Sequence, residues 1–476
     1  MARINTNVSV LAAQRGLAKS QRALSDTLQR LSSGLQINRG ADDPAGLIVS
    51  EGLRSEMAGL SQAIDNCSRA SNVIATAEAA LGEVASLLLT IKELVVEAAS
   101  TGAMSAEEIE ANQLQINSAI ESITRISNTT TFAGLHLLNG SLDYITSGVD
   151  SSAIKALHIQ QANFGTARTM PVNIEVLTSA KTAELRFLTS AITSSVTIEI
   201  AGNEGVEVLT FVSGTAASAI AFAVNRVTDS TGVRVDLVNS AHAASGIVFR
   251  SDGYGSKSFV SVRAQSGTFV TKDRNGNTAT RSTGVDAVAT LNGALTVGDG
   301  LTIKLNTNAL DLELTLDENF GAGTTSFVIT GGGANFQLGP QVTSNQQVSL
   351  GIRSVAASKL GDDNVGYLNE LITGGPASLV AGGAGRASRI VECAIRQVAV
   401  IRGQLGAFEK NTLQTTTASL SVALENVTAS ESSIRDADFA KETSALTRAQ
   451  ILTQAGTSVL AIANSTPQTV LQLLQR

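Results

Sequence analysis

The stretch "RLSSGLQINRGADDPAGLIVSEGLRSEM", Arg30–Met57, reads as a helix, a sharp break and a second helix. Gly34 can end the first helix, because without a Cβ it adopts the left-handed conformation of a C-terminal cap. Asp43 followed by Pro44 reads as a cap and a first helical residue, the position where a missing N–H costs nothing. Leucines lie on one face before the break and apolar residues on one face after it. Two long, narrow-striped helices with no strand nearby are not the usual opening of a soluble enzyme. What their faces pack against decides the fold.

Working outward, Leu17, Leu24, Leu28, Leu31 and Leu35 step by seven, four, three and four along the first helix. Leu53, Met57, Leu60, Ile64, Cys67, Ser71, Ile74, Leu81, Leu88 and Val95 continue a three–four spacing along the second. A narrow stripe held over that length is a coiled-coil seam. Cys67 lies within it and reads as a small buried core residue. A third helix, about 106–128, follows the "STGAMS" turn. Toward the C-terminus, Ala394, Val398, Ile401, Leu405 and Phe408 form one stripe, continued by Leu413, Leu420, Leu424, Val427 and Ile434. "SSIRDADFAKE" places Asp436 and Asp438 in a first helical turn, where carboxylates suit the helix dipole. The last helix carries Leu446, Leu452, Val459 and Leu460. Pro467 is expected to break it, and Val470, Leu471, Leu473 and Leu474 form a closing apolar patch. Both ends are amphipathic helices, and the natural partner of each is the other.

Between them the period changes from 3.5 to 2. Val196, Ile198, Ile200, Val206 and Val208 alternate around "AGNEG", a hairpin signal. The patch "TAASAIAFAVNRVT" reads as a short helix. Further strands are expected at 247–249, 259–262, 301–305, 310–314 and 327–329, with a turn at "DRNGN". The region 179–380 is therefore a β-rich insert between helical ends, joined through a smaller strand-like zone before it.

Composition narrows the function. The chain has 476 residues, room for two to four domains. A net charge of −7 argues against nucleic acid as a partner. Aromatic content of 3%, without Trp, suits slim helical seams better than a bulky core. No apolar run has the length of a membrane span, and the first residues carry no signal-peptide pattern, so generic signals point to the cytosol. Cys67 and Cys393, the only cysteines, offer neither a disulfide framework nor a zinc site. Their heights along an antiparallel helix pair would differ by roughly 20 Å at ~1.5 Å per residue, so no bridge is expected between them.

Catalytic patterns are missing. His136, His158 and His242 stand apart, with no H-E-x-x-H, no G-x-S-x-G and no phosphate-binding Gly-Lys-Ser/Thr loop. "GGGANFQLGP", Gly331–Pro340, follows no βαβ unit and reads as a linker or turn. Asp317 and Glu318 are adjacent and so point to opposite faces of a strand; Asp42 and Asp43 start a helix.

The two ends, Arg3–Leu81 and Leu405–Leu474, resemble bacterial flagellins over long, ordered stretches that together cover about a third of the chain. "TFVSGTAASAIAFAVNRVTDSTGVRVDLV" and "DGYGSKSFVSV" are similar to the inserted repeat of larger flagellins. The resemblance implies an α+β fold in which N- and C-terminal helices pair as coiled-coil and helical-bundle rod domains around an inserted β-rich outer domain. Residues 1–43 and 431–476 would form the inner coiled coil, seamed by Leu17, Leu24, Leu28, Leu31, Leu35, Leu452, Val459, Leu460, Val470, Leu471, Leu473 and Leu474. Residues 44–178 and 381–430 would form the rod, seamed by Leu53 to Leu88 and by Val398 to Phe408. Residues 179–380 would face outward, and Gly34, Asp43 and Pro44 would form the spoke between inner and outer tubes. Isolated ends cannot bury their stripes and should order only on assembly.

The implied function is the structural subunit of the helical filament used for swimming, with no cofactor, no enzymatic activity, no nucleic acid and no membrane insertion. A hook–filament junction protein of the same family is the alternative. Implied partners are further copies of the chain, the flagellar cap and hook-junction proteins, an export chaperone at the C-terminal helix and the flagellar type III export apparatus. The resemblance also overrides the cytosolic reading: such subunits are exported without a cleaved signal peptide and are extracellular. Finally, "LLLTIKELVVEAA", Leu87–Ala99, aligns with the surface read by the flagellin-sensing Toll-like receptor. Glu93 and Leu94 match that pattern, but its key arginine falls on Thr90 and a nearby glutamate on Gln115, which implies weak recognition.

Overall fold

The computed structural model describes residues 7–474 except 101, 103, 166, 240–244 and 308, with side chains described as far as 465. His242 and the side chains of Val470, Leu471, Leu473 and Leu474 therefore lie outside the described residues.

The chain divides into two compact units. The first contains residues 1–69, 337–342 and 411–476, and the second contains 70–336 and 343–410. Eight α-helices are described: α1 (Val8–Ser33), α2 (Pro44–Ala98), α3 (Ala106–Thr129), α4 (Ala217–Asn225), the single turn α5 (Thr228–Thr231), α6 (Ala384–Phe408), α7 (Thr415–Arg435) and α8 (Phe439–Leu474). A π-helical turn, Glu409–Gln414, joins α6 to α7 without a break.

The helix ends follow local chemistry. Gly34 caps α1 at φ 74°, its N–H donating to the Arg30 carbonyl. Asp43 Oδ1 accepts from the amides of Ala45 and Gly46 at 3.1 and 2.9 Å, so α2 starts on Pro44. Ser105 and Glu108 close a reciprocal capping box on α3. Asp438 caps α8 through the amides of Ala440 and Lys441. Asp436 is instead the C-cap of α7, which corrects its expected place in a first turn. A second correction concerns Pro467: α8 runs through it to Leu474.

In the first unit α2 and α7 run antiparallel. The Arg435 guanidinium bonds Glu51 at 2.9 Å, and Gly59 lies against Pro340. Leu60 and Cys67 are buried, whereas Leu53, Met57 and Ile64 are half-buried. In the second unit α2 and α6 are antiparallel, tied by Ser71–Glu409, Glu78–Arg402 and Lys92–Glu392 at 2.7, 3.7 and 3.1 Å. Ile74, Leu81, Leu88, Val398, Ile401 and Leu405 are buried there, and half-buried Phe408 lies beside Phe336. Buried Gln113 on α3 donates to the Leu371 carbonyl and accepts from the Leu379 amide, both at 2.7 Å, which ties the segment before α6 to that helix.

The strands all fall between α3 and α6. They begin with β1 (Thr131–Phe132), β2 (Leu135–His136), β3 (Tyr144–Ser147), β4 (Ile154–Ala162) and β5 (Met170–Thr178). Next come β6 (Thr182–Phe187), β7 (Val196–Ala201), β8 (Val206–Phe211), β9 (Val233–Leu237), β10 (Ile247–Tyr254), β11 (Phe259–Ser266) and β12 (Arg281–Thr283). They finish with β13 (Val288–Leu291), β14 (Ala294–Val297), β15 (Thr302–Asn306), β16 (Leu310–Leu316), β17 (Gly323–Gly332), β18 (Ala334–Gln337), β19 (Gln347–Leu350), β20 (Gly361–Asp362) and β21 (Gly366–Tyr367).

Two cores hold most of them. The sheets β14-β13-β5-β17-β3 and β15-β16-β4 share one core, which includes Val172, Ile174, Leu312, Leu314 and Phe327. The sheets β6-β10-β9 and β12-β11-β7-β8 share the other with α4, around Ile198, Ile200, Ile220, Val224 and Phe249. β3, β4 and β5, before position 179, pair with β17, β16 and β13 after it. In the β7–β8 hairpin Val196, Ile198 and Ile200 point into the core, but Val206 and Val208 are exposed while Leu209 and Phe211 pack inward. The alternation on β8 was legible; which of its two faces is covered was not.

Candidate assembly surface: the paired chain ends

α1 and α8 pack antiparallel within the first unit. Val10, Ala13, Leu17, Ser20, Leu24, Thr27 and Leu31 are covered along α1 at alternating steps of three and four. Glu442, Leu446, Ala449, Thr453, Gly456, Leu460 and Ala463 repeat that spacing along α8. This is the heptad geometry of a coiled coil. The α8 side is built mainly from small residues, so the backbones approach closely. A Cβ on Gly456 would lie 3.2 Å from Leu17 Cδ1 and 3.6 Å from its Cα. At one end of the seam, Arg30 meets the buried Glu442 carboxylate at 3.3 Å. At the other end Asn7 uses both halves of its amide. Its Oδ1 accepts from the Val10 amide at 3.2 Å as the cap of α1, and its Nδ2 donates to the Ala463 carbonyl at 3.0 Å.

The segment between α1 and α2 is held to the α7–α8 junction by its backbone. The Gln36 amide donates to the Arg435 carbonyl at 2.7 Å and the Ala437 amide to the Gly34 carbonyl at 2.9 Å. Ile37 is buried. Asp42 closes the turn, its carboxylate accepting from the amides of Arg39 and Asn38 at 2.9 and 3.0 Å; those bonds hold its pKa below the usual carboxylate value.

The seam expected from sequence and the observed one overlap in Leu17, Leu24, Leu31 and Leu460, with Leu35 half-buried just beyond. Leu28, Leu452 and Val459 are about half exposed and lie off the α1–α8 heptad. Thr27, Glu442, Ala449, Thr453, Gly456 and Ala463 are small or polar and so add nothing to an apolar stripe in the sequence. Their signal was one of phase: Leu17, Leu24 and Leu31 are one heptad apart and Leu446 and Leu460 two, which locates the intervening positions whatever their chemistry.

Residues 4–143 match the bacterial flagellin N-terminal helical region and residues 389–474 the bacterial flagellin C-terminal helical region. Curated flagellins also align along the whole chain. The flagellin of Salmonella rubislaw is 29% identical, flagellin A of Helicobacter pylori 27% and flagellin E of Vibrio cholerae 29%, each alignment covering 99% of both chains. Through both terminal regions and along its whole length, the chain is similar to the bacterial flagellins. Its β-rich middle between terminal helical regions is the α+β architecture expected of a larger flagellin.

Cys67 and Cys393 are free thiols, and burial raises the pKa of each, which disfavours the reactive thiolate. Among the described residues no cluster of three metal-ligating side chains is found, and no described helix is long and apolar enough to cross a membrane. His158 sits on β4 opposite Glu313 of β16; burial, then the nearby Arg353 charge, lowers its pKa to about 4. Along the stretch aligned with the receptor-read surface, Thr90, Glu93 and Gln115 are exposed, but Leu94 is buried at 8% exposure, which corrects its place on that surface. The Thr90 hydroxyl bonds its own helix, donating to the Ser86 carbonyl.

Proposed function

We propose that this chain is the structural subunit of an extracellular flagellar filament that serves swimming, polymerising with further copies of itself and carrying no enzymatic activity. The observation that carries the reading is the second apolar surface of the first unit. With α1 and α8 already paired, Leu11, Leu28, Ile451, Leu452, Val459 and Ile462 remain 49–66% exposed along the two helices. Burial of such side chains stabilises by roughly 1.5–3 kcal/mol each, a large driving force when repeated in every subunit. Copies of the same two helices offer matching surfaces.

In this reading residues 1–43 and 431–476 line the inside of the filament, 44–178 and 381–430 form the rod around them, and Gly34, Asp43 and Pro44 form the spoke. The outer body lies within 179–380, and the pairing of β3, β4 and β5 with later strands supports drawing it wider toward Tyr144. Cap and hook-junction proteins, an export chaperone at α8 and the type III export apparatus complete the set of partners. Electron microscopy of the purified, polymerised chain tests the reading. Long helical filaments are expected. Growth that stops at a single layer on hook ends would favour the junction-protein alternative.

A further inference from the structure

A proline inside a helix leaves the carbonyl four residues earlier without its amide donor. In α8 that proline is Pro467 and the carbonyl is that of Ala463, which receives the Asn7 side-chain amide at 3.0 Å. We propose that Asn7 is the register-setting residue of the α1–α8 pair, supplying from the opposite helix the hydrogen bond that Pro467 cannot make.

The seam itself discriminates poorly between registers. Ala449, Gly456 and Ala463 lie one heptad apart and differ by no more than a methyl group, so a slip of α1 by one heptad is opposed at Leu17 only by that methyl, 3.2 Å from its Cδ1. A slip of that kind removes the Asn7 donor from the Ala463 carbonyl, which Pro467 has deprived of its own. A polar group withdrawn from water without a partner is costly, and this penalty falls only on the wrong registers. A single asparagine at a coiled-coil seam sets register in this manner, at some expense of stability. The same side chain also caps α1 through Val10, so starting that helix and docking it on α8 are one event. Before docking, the Ala463 carbonyl lacks the amide donor that position 467 would otherwise supply; docking in register provides one.

The test compares full-length chains by the critical concentration for polymerisation and by filament dissociation temperature. Asn7→Asp is the informative variant, because aspartate caps a helix as well as asparagine does but cannot donate to Ala463. It is expected to raise the critical concentration on the order of tenfold, the effect of losing one hydrogen bond and leaving an acceptor unpaired. Pro467→Ala restores an amide donor inside α8. It should polymerise with Asn7 intact, and in its background Asn7→Asp should have little effect. Asn7→Asp polymerising like the wild-type chain would overturn the proposal, since capping alone would then account for the residue. So would an equal loss in both backgrounds, or a Pro467→Ala chain that fails to assemble. Wild-type filaments in the same preparation report on polymerisation itself, so a failure of this proposal is distinct from a failure of the filament reading.

Discussion

At the scale of single residues, His158 makes the stability of the second unit depend on pH. Burial lowers its pKa from 6.5 to about 4, so between those values the unfolded chain binds a proton that the folded chain does not. Its contribution is complete above pH 6.5 and is lost as the pH falls toward 4, on the order of 3 kcal/mol over the window. His158→Gln should flatten this dependence. Thermal unfolding followed by circular dichroism at pH 7 and pH 4.5 checks it; equal losses in variant and wild-type chains would assign the acid sensitivity to other groups. Thr90 supports a different prediction. Its hydroxyl is tied to Ser86 and Leu94 is buried, so the helix presents neither a guanidinium nor that leucine to a receptor. Depolymerised protein should stimulate the flagellin-sensing receptor weakly in reporter cells, and Thr90→Arg should raise the response. A wild-type response as strong as that to a highly stimulatory flagellin would show that Thr90 does not limit recognition.

At the scale of elements, the approach of α1 to α8 depends on a glycine at one position and merely tolerates one at another. Gly456 faces Leu17, and even a Cβ would press on Leu17 Cδ1 at 3.2 Å. Gly456→Leu should separate the helices and prevent polymerisation. Gly16 is the neighbour of Leu17, yet a methyl group on it would meet nothing within 4 Å, so it has no such duty. Gly16→Ala should leave assembly intact and raise stability by about 0.5–1 kcal/mol through helix propensity. Sedimentation of polymer at increasing protein concentration distinguishes the two, and normal assembly of Gly456→Leu would show that the close approach is dispensable. Neither glycine was distinguishable from the other in the sequence, because each lies in an amphipathic helix and only the facing helix differs.

At the scale of the molecule, one body can be removed along a natural seam. Thr178 at the end of β5 lies directly opposite Val288 at the start of β13. Every buried residue of the core around α4 falls between 183 and 269, whereas the core of β3–β5 and β13–β17 is drawn from 144–180 and 287–329. Replacing residues 179–287 by Asn-Gly should close β5 and β13 into a tight hairpin. The shortened chain should fold, keep the remaining core and form thinner filaments by electron microscopy. Removal of all of 179–380 would instead strip β3, β4 and β5 of their partners and expose unpaired strand edges. If the 179–287 deletion folds but does not polymerise, the excised body carries contacts needed for assembly.

The features legible in the chain are those set within a turn or two of backbone. The cap at Gly34, the start of α2 at Pro44, the heptad phase of α1 and α2 and the alternation in β7 all depend on neighbours a few residues away. The match of both ends to flagellins adds the family. Partner choice is different in kind. Whether Leu17 or Leu28 enters the seam, whether Val206 or Leu209 faces the core, and which strand β5 joins depend on surfaces far away in sequence, and period alone is symmetric between the alternatives. Pro467 shows the limit most directly: local propensity ends the helix there, and the helix continues with the abandoned carbonyl of Ala463 bonded to a side chain 456 positions away.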